Sequence, residues 1–205
     1  MRICLDVNIW VQYLRAQMAG KTDTSSQTLV GFVRNMKIGE VPVQLILPKA
    51  VVSTFQEKAS EQGAPMNVIA RVVDSLISLA QAGPEQVDPF VHFGAETFQM
   101  KDLEDAGVLA GALAGGADFL ITDNLRDFEN KEAQVFDTQQ AKLPDGKARQ
   151  LSAIIHQRPD GATVVVAHPF DFLEWVREGR ELSPTMIREH YSLRPLGNGN
   201  TQKKK

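Results

Sequence analysis

Residues 2–14 read RICLDVNIWVQYL, and the fold class turns on this stretch. Arg2 to Val7 has the length and apolar content of a buried strand, while Ile9, Trp10, Tyr13 and Leu14 follow at the spacing of an amphipathic helix. A strand that passes straight into a helix opens a βα unit, and it leaves Asp6 at the strand's carboxyl end. The same alternation repeats outward along the chain. Leu29, Phe32, Val33 and Met36 give a second helix behind the polar caps of Thr22 to Ser26, closed by Gly39. Val43 to Leu47 is a short strand, and Pro48 opens a helix carrying Val51, Val52 and Phe55 that ends at Gly63. Met66 to Ala80 completes a helical hairpin, stopped by Gly83-Pro84. Asp102 to Ala114 reads as a helix with Asp102 as N-cap and Asp105 in the capping-box position, terminated by Gly115-Gly116. Phe119 to Thr122 and Ala162 to Ala167 are buried strands, the latter followed by a helix from Asp171 to Glu178. Strands alternating with helices predict an α/β layer fold with a parallel sheet flanked by helices.

Two segments fall outside that rhythm. Residues 137–161 read as an insertion: the turn signals Pro144-Asp145-Gly146 and Pro159-Asp160-Gly161 flank an apolar patch, Leu151 to Ile155, that predicts a short helix. Val135-Phe136 before it is a short strand. Residues 179–205 read as a C-terminal extension whose end, Gly197 to Lys205, is a disordered basic tail. At 205 residues the expectation is one domain, 1–178, with this insertion and extension.

Composition narrows function before any motif does. With Lys+Arg 22 against Asp+Glu 25 the net charge is -3, and setting aside Lys203, Lys204 and Lys205 leaves residues 1–202 with 19 cations against 25 acids. No bulk positive field therefore gathers nucleic acid, and any polyanion site is local. The single Cys4 reads as a small core residue and cannot make an internal disulfide. The four histidines sit at unrelated spacings, which argues against zinc, and no phosphate-binding glycine loop precedes a helix. No apolar stretch approaches the ~20 residues of a membrane span, and no signal peptide is evident at the start, so a cytoplasmic protein without a membrane role is expected.

The chemistry lies in the carboxylates. In open α/β sheets ligands bind beyond the carboxyl ends of the strands. Asp6, Asp105 and the Asp123/Asp127 pair all fall at such ends or at a helix start beside them. Clustered carboxylates repel one another unless a hard cation such as Mg²⁺ or Mn²⁺ neutralises them, and a cation so held can activate water and bind a phosphate oxygen. Hydrolysis of a phosphodiester is the candidate reaction.

Three motifs in this order, Leu5-Asp6-Val7-Asn8-Ile9-Trp10, Glu104-Asp105 opening an Ala/Gly-rich helix, and Ile121-Thr122-Asp123-Asn124-Leu125-Arg126-Asp127-Phe128 after a strand, make the chain resemble the PIN domain family. The resemblance covers residues 1–136, and Ala162 to Glu178 is similar to that family's closing strand and helix. It implies a Rossmann-like sheet and an Mg²⁺- or Mn²⁺-dependent endoribonuclease acting on single-stranded RNA. It also implies the toxin of a toxin–antitoxin pair, with an antitoxin protein and a homodimer as candidate partners. Position by position, Asp6 matches the first metal carboxylate, Asn8 the residue that orients it, and Asp105 the helix-borne carboxylate. The family's fourth acid falls on Asn124, so Asp123 or Asp127 has to supply that charge. The Glu expected in the helix after the second strand is replaced by Ser53 or Thr54, with Glu57 one turn late. Those departures keep open a second class, a PIN-like module that binds RNA or a protein without cutting. An aspartyl phosphotransferase would want a second acid two residues after Asp6, where Asn8 stands. Within the insertion, Lys142, Lys147, Arg149 and Arg158 against Asp145 give residues 142–158 a local +3, read either as a solvated loop or as an RNA groove.

Overall fold

Apolar runs of strand length become the middle of one sheet because helices cover both of their faces. The computed structural model describes residues 1–87, 100, 102–142 and 148–194. In it, β1 (Arg2–Leu5) lies between β4 (Gln44–Ile46) and β5 (Phe119–Ile121), and β8 (Thr163–Ala167) lies beyond β5, all parallel. Cys4 is level with Ile46 and Leu120, and Leu120 with Val166. These strands are buried from end to end apart from Arg2 and Thr163, so they show continuous apolar runs in place of alternation.

Residues 137–161 correct the sequence reading. No short helix forms there. β6 (Gln134–Lys142) and β7 (Ala148–Gln157) make a long antiparallel hairpin, into which the two-residue strand expected at Val135-Phe136 is absorbed. β7 pairs with β8, and β9 (Ser192–Leu193) pairs with β6, giving the order β4-β1-β5-β8-β7-β6-β9. The parallel sheet thus continues as an antiparallel one. The run Leu151 to Ile155 is buried throughout because β7 is an interior strand. A short apolar run without alternation does not distinguish a buried helix turn from a strand. The turn at Pro159-Asp160-Gly161 forms as read, with Gly161 at φ +91°. The signal Pro144-Asp145-Gly146 and the tail Gly197 to Lys205 lie outside the described residues.

The helices are α1 (Val7–Met18), α2 (Ser25–Arg34), α3 (Lys49–Glu61), α4 (Met66–Ala82), α5 (Leu103–Ala114), α6 (Pro169–Arg177) and α7 (Pro184–His190), with a small ribbon, β2 (Lys37–Ile38) and β3 (Val41–Pro42), between α2 and β4. Thr24 and Gln27 form a capping box at the start of α2. Phe172 of α6 meets Phe119 of β5 edge to face at 5.2 Å, which seats α6 on the sheet. Residues 184–194 return to the body: Arg194 N–H donates to Val135 O at 2.7 Å, and its guanidinium bonds Asp137. Among the described residues no helix is long and apolar enough to cross a membrane.

One packing feature governs where Asp105 sits. Gly107 and Gly111 of α5 and Gly115 at its C-cap recur every fourth residue and so lie one above another on a single face. A Cβ on Gly111 would lie 2.6 Å from Pro48 Cβ, one on Gly115 2.5 Å from Ile46 Cγ2, and one on Gly107 3.1 Å from Ala50 Cβ. The backbone of α5 therefore rests directly on the β4–α3 junction, and its first turn is drawn toward the strand ends.

Candidate active site

The site is built from the connection after β1 outward. Asp6 is the N-cap of α1: its Oδ1 accepts the Val7 N–H at 2.7 Å. Its Oδ2 accepts from Asn8 Nδ2 at 2.6 Å and from Thr122 Oγ1 at 2.7 Å. Thr122, fully buried at the end of β5, uses its whole hydroxyl. It donates to Asp6, and it accepts from Asn8 Nδ2 at 2.8 Å and from the Asn124 N–H at 3.0 Å. Asn8 Oδ1 in turn accepts the Asp123 N–H at 3.4 Å. One hydrogen-bonded unit thus locks the loops after β1 and β5 together and holds the Asp6 carboxylate, only 4% exposed, in one orientation. Burial pushes its pKa up, against the bonds from Thr122 and Val7 and the charge of Lys58, with Glu104 adding to the rise.

Asp105 stands in the first turn of α5. Asp102 caps that helix through the Glu104 N–H at 2.9 Å, and among the described residues no reciprocal bond from Asp105 completes the expected box. Its carboxyl, with no hydrogen bond among the described residues, is raised to about 7 by burial first, then by the charges of Asp6, Asp102, Asp127 and Glu104. The carboxylates of Asp6 and Asp127 thus stand near enough to Asp105 to act on it through space. Asp127 itself is exposed on a 3-10 turn, Leu125–Phe128, and takes a hydrogen bond from Asn124 Nδ2.

Asp123 is engaged elsewhere. Gln12 Nε2 donates to its Oδ2, and His168 Nε2 lies 3.3 Å from its Oδ1. His168 caps α6, its Nδ1 accepting the Phe170 N–H at 3.1 Å, so the ring proton sits on Nε2 and faces Asp123. Burial lowers the His168 pKa, Asp123 opposes that, and Arg149 reinforces it. Arg149 comes from the unexpected hairpin: its Nη2 donates to the Asp123 backbone carbonyl at 3.4 Å.

On α3, Ser53 is exposed and Thr54 buried, and neither bonds the acids. The α3 residue that reaches them is Lys58, one turn beyond Thr54, which pairs with Glu104 at 3.1 Å. Sequence reading missed Lys58, Thr122, Gln12 and His168. Thr122 carried a usable signal, a hydroxyl directly after a buried strand and beside the acids. Gln12, Lys58 and His168 carried none, because their partners lie far off in sequence.

Among the described residues no three His, Cys, Asp or Glu side chains gather into a group that could hold a metal ion. What the residues fit is a more open arrangement. Mg²⁺ is commonly bound by one or two carboxylates, with water and substrate phosphate completing its shell. Asp6 keeps an acceptor position on Oδ1, and Asp105 has no competing hydrogen bond among the described residues. No family model, characterised protein or solved structure matches the chain.

Proposed function

We propose that the chain is a metal-dependent endoribonuclease of the PIN-like kind, hydrolysing phosphodiester bonds of single-stranded RNA at the Asp6–Asp105 site. The observation that carries this reading is a nearly buried carboxylate, Asp6, fixed by Thr122 and Asn8, near enough to Asp105 to raise that carboxyl, and forming no ion pair among the described residues. Asp6 and Asp105 would hold Mg²⁺ or Mn²⁺, which when bound lowers the pKa of water and offsets charge on the phosphate. The chain's own residues do the rest. Thr122 and Asn8 aim the uncommitted Oδ1 position of Asp6, Asp102 and Asp127 keep the pocket negative, Lys58 neutralises Glu104, and Gln12 and His168 hold Asp123 to one side. In the hydrolysis, water adds across a phosphorus–oxygen ester bond, and its proton leaves with the alcohol product.

A second reading, an RNA- or protein-binding module that does not cut, is favoured by α3, where Ser53 and Thr54 stand at the place the resemblance gives to an acid and the side chain that pairs with Glu104 is the cation Lys58. One experiment separates them. End-labelled single-stranded RNA incubated with the purified chain is expected to be cut with Mn²⁺ or Mg²⁺ and left intact in EDTA. Asp6→Asn and Asp105→Asn, with unchanged circular dichroism, are expected to slow cleavage about a hundredfold or more, since they remove charge stabilisation worth several kcal/mol. Cleavage that persists in chelator or in both variants overturns the endonuclease reading. RNA binding without cleavage, together with no calorimetric Mn²⁺ signal, establishes the second.

A further inference from the structure

The hairpin that stands in place of the expected short helix reaches the end of the sheet where the acids are. β7 pairs with β8 from Gln157–Thr163 to Ala153–Ala167, and Ala167 is the last residue of β8 and level with Ile121 of β5. Residues 148–152 of β7 therefore run past the carboxyl ends of both strands, an overhang of roughly 17 Å at ~3.4 Å per residue. The matching end of β6, through Lys142, runs with it, since Lys142 pairs with Ala148. This overhang is a wall beside Thr122 and Asp123.

The charge on the wall is positive. Among the described residues of the hairpin, Asp137 is its one acid, and it is paired with Arg194. Lys142 and Arg149 are both exposed. Arg149 is anchored by the single bond from Nη2 to the Asp123 carbonyl and makes no ion pair among the described residues. Its guanidinium thus keeps free N–H groups next to an acidic pocket. A polyanion brought to that pocket meets repulsion from Asp6, Asp105 and Asp127, so it needs a cation on its path, and a guanidinium suits a phosphate because it can present two parallel N–H groups.

We propose that the β6–β7 hairpin is the track for the substrate strand, with Arg149 gripping a backbone phosphate adjacent to the one held at Asp6 and Asp105. The inference rests on the nucleic-acid reading above, and it gives Arg149 a positioning role in binding, with no part in bond cleavage.

The test is binding of a fluorescein-labelled single-stranded RNA to the full chain in EDTA, followed by anisotropy across a range of KCl concentrations. Each phosphate neutralised on a single strand contributes about 0.7 to the slope of log affinity against log salt. Arg149→Ala is expected to weaken binding and lower that slope by about 0.7. Arg149→Lys is expected to keep the slope, because the charge stays. Arg71→Ala, which removes an exposed charge on α4, is expected to leave it unchanged. With Mn²⁺ present, Arg149→Ala should raise KM several-fold and leave kcat near wild type. A wild-type slope in Arg149→Ala, or an equal fall in Arg71→Ala, overturns the inference while the cleavage assay still decides the function. Absence of RNA binding by the wild-type chain overturns both.

Discussion

The glycine seam on α5 makes a sharp test of how Asp105 is positioned. Gly→Ala inside a helix ordinarily stabilises by about 1 kcal/mol, because glycine loses more backbone freedom on folding. Gly31 in α2 has nothing within 4 Å of the point where an alanine methyl would stand, so Gly31→Ala is expected to raise stability by about 0.5–1 kcal/mol. Gly111→Ala makes the same chemical change in a different place. Its methyl would sit 2.6 Å from Pro48 Cβ and 2.9 Å from Pro48 Cγ, whereas carbon atoms rest at about 3.5–4.0 Å. The methyl or its neighbours must give by about 1 Å, and the proline ring cannot rotate away. Overpacking of this kind costs about 1–3 kcal/mol. Set against the helix gain, the net is a loss of up to about 2 kcal/mol, or a Tm lower by up to roughly 4–8 °C for a chain of this size. Paired thermal melts of Gly31→Ala and Gly111→Ala read the two signs directly. Pushing α5 off Pro48 also shifts Asp105, so cleavage should fall in Gly111→Ala although every acid is intact. If both variants rise in Tm together, α5 does not rest on the β4–α3 junction as described, and the seam is not what places Asp105.

Two further predictions probe the polar interior. Thr122→Val keeps the shape of a buried side chain but removes a hydroxyl that serves Asp6, Asn8 and Asn124; urea unfolding should show a loss of about 2–3 kcal/mol, with Thr122→Ser close to wild type, and a wild-type midpoint for the Val variant would refute the network. Asp171 is fully buried between Thr138 Oγ1 at 2.9 Å and Gln139 Nε2 at 2.6 Å, and burial, outweighing those two bonds, together with the charge of Glu174 raises its pKa to about 6. Because the folded state holds this proton more tightly, its contribution to stability is fully present below about pH 4 and is lost as pH rises through 6, a change of about 2–3 kcal/mol. Asp171→Asn should flatten that part of the stability–pH curve, and an unchanged slope between pH 4 and 7 would show the carboxylate to be ionised at no cost.

The parallel half of the fold was legible for a reason that also hid the other half. Ile3 to Leu5, Phe119 to Ile121 and Val164 to Val166 are short, apolar and each followed by a helix or turn signal, so length and context decided them. Leu151 to Ile155 is a similar run, but its neighbours, Arg149 and Gln150 on one side and His156 and Gln157 on the other, are polar. Its partners, β6 and β8, are fixed by pairing that no local pattern reports. The site divides along the same line. Asp6, Asn8 and Thr122 sit in two short motifs at strand ends, and the rule that ligands gather there brought Asp6 and Asp105 together. Lys58, His168 and Arg149 reach the acids from α3, α6 and β7, and contacts of that kind become visible only when the chain is folded.

Asp6 shows how a residue can have a structural task without that task explaining its identity. The cap on α1 gives Asp6 that structural task. Capping needs only an oxygen on a short side chain, which Ser or Asn provides without burying a charge. Yet Oδ2 faces two donors, Asn8 Nδ2 and Thr122 Oγ1. An amide at this position would have to turn its nitrogen toward one of the three donors around it, at a cost of about 1 kcal/mol for the bond lost. The surroundings therefore select a carboxylate over a neutral cap. They do so although burial raises its pKa and although a second carboxylate, Asp105, stands near enough to be raised in turn. A carboxylate held in place by neutral donors, and forming no ion pair among the described residues, is what a cation-dependent site requires, and that connects the local hydrogen bonds of Asp6 to the proposed chemistry.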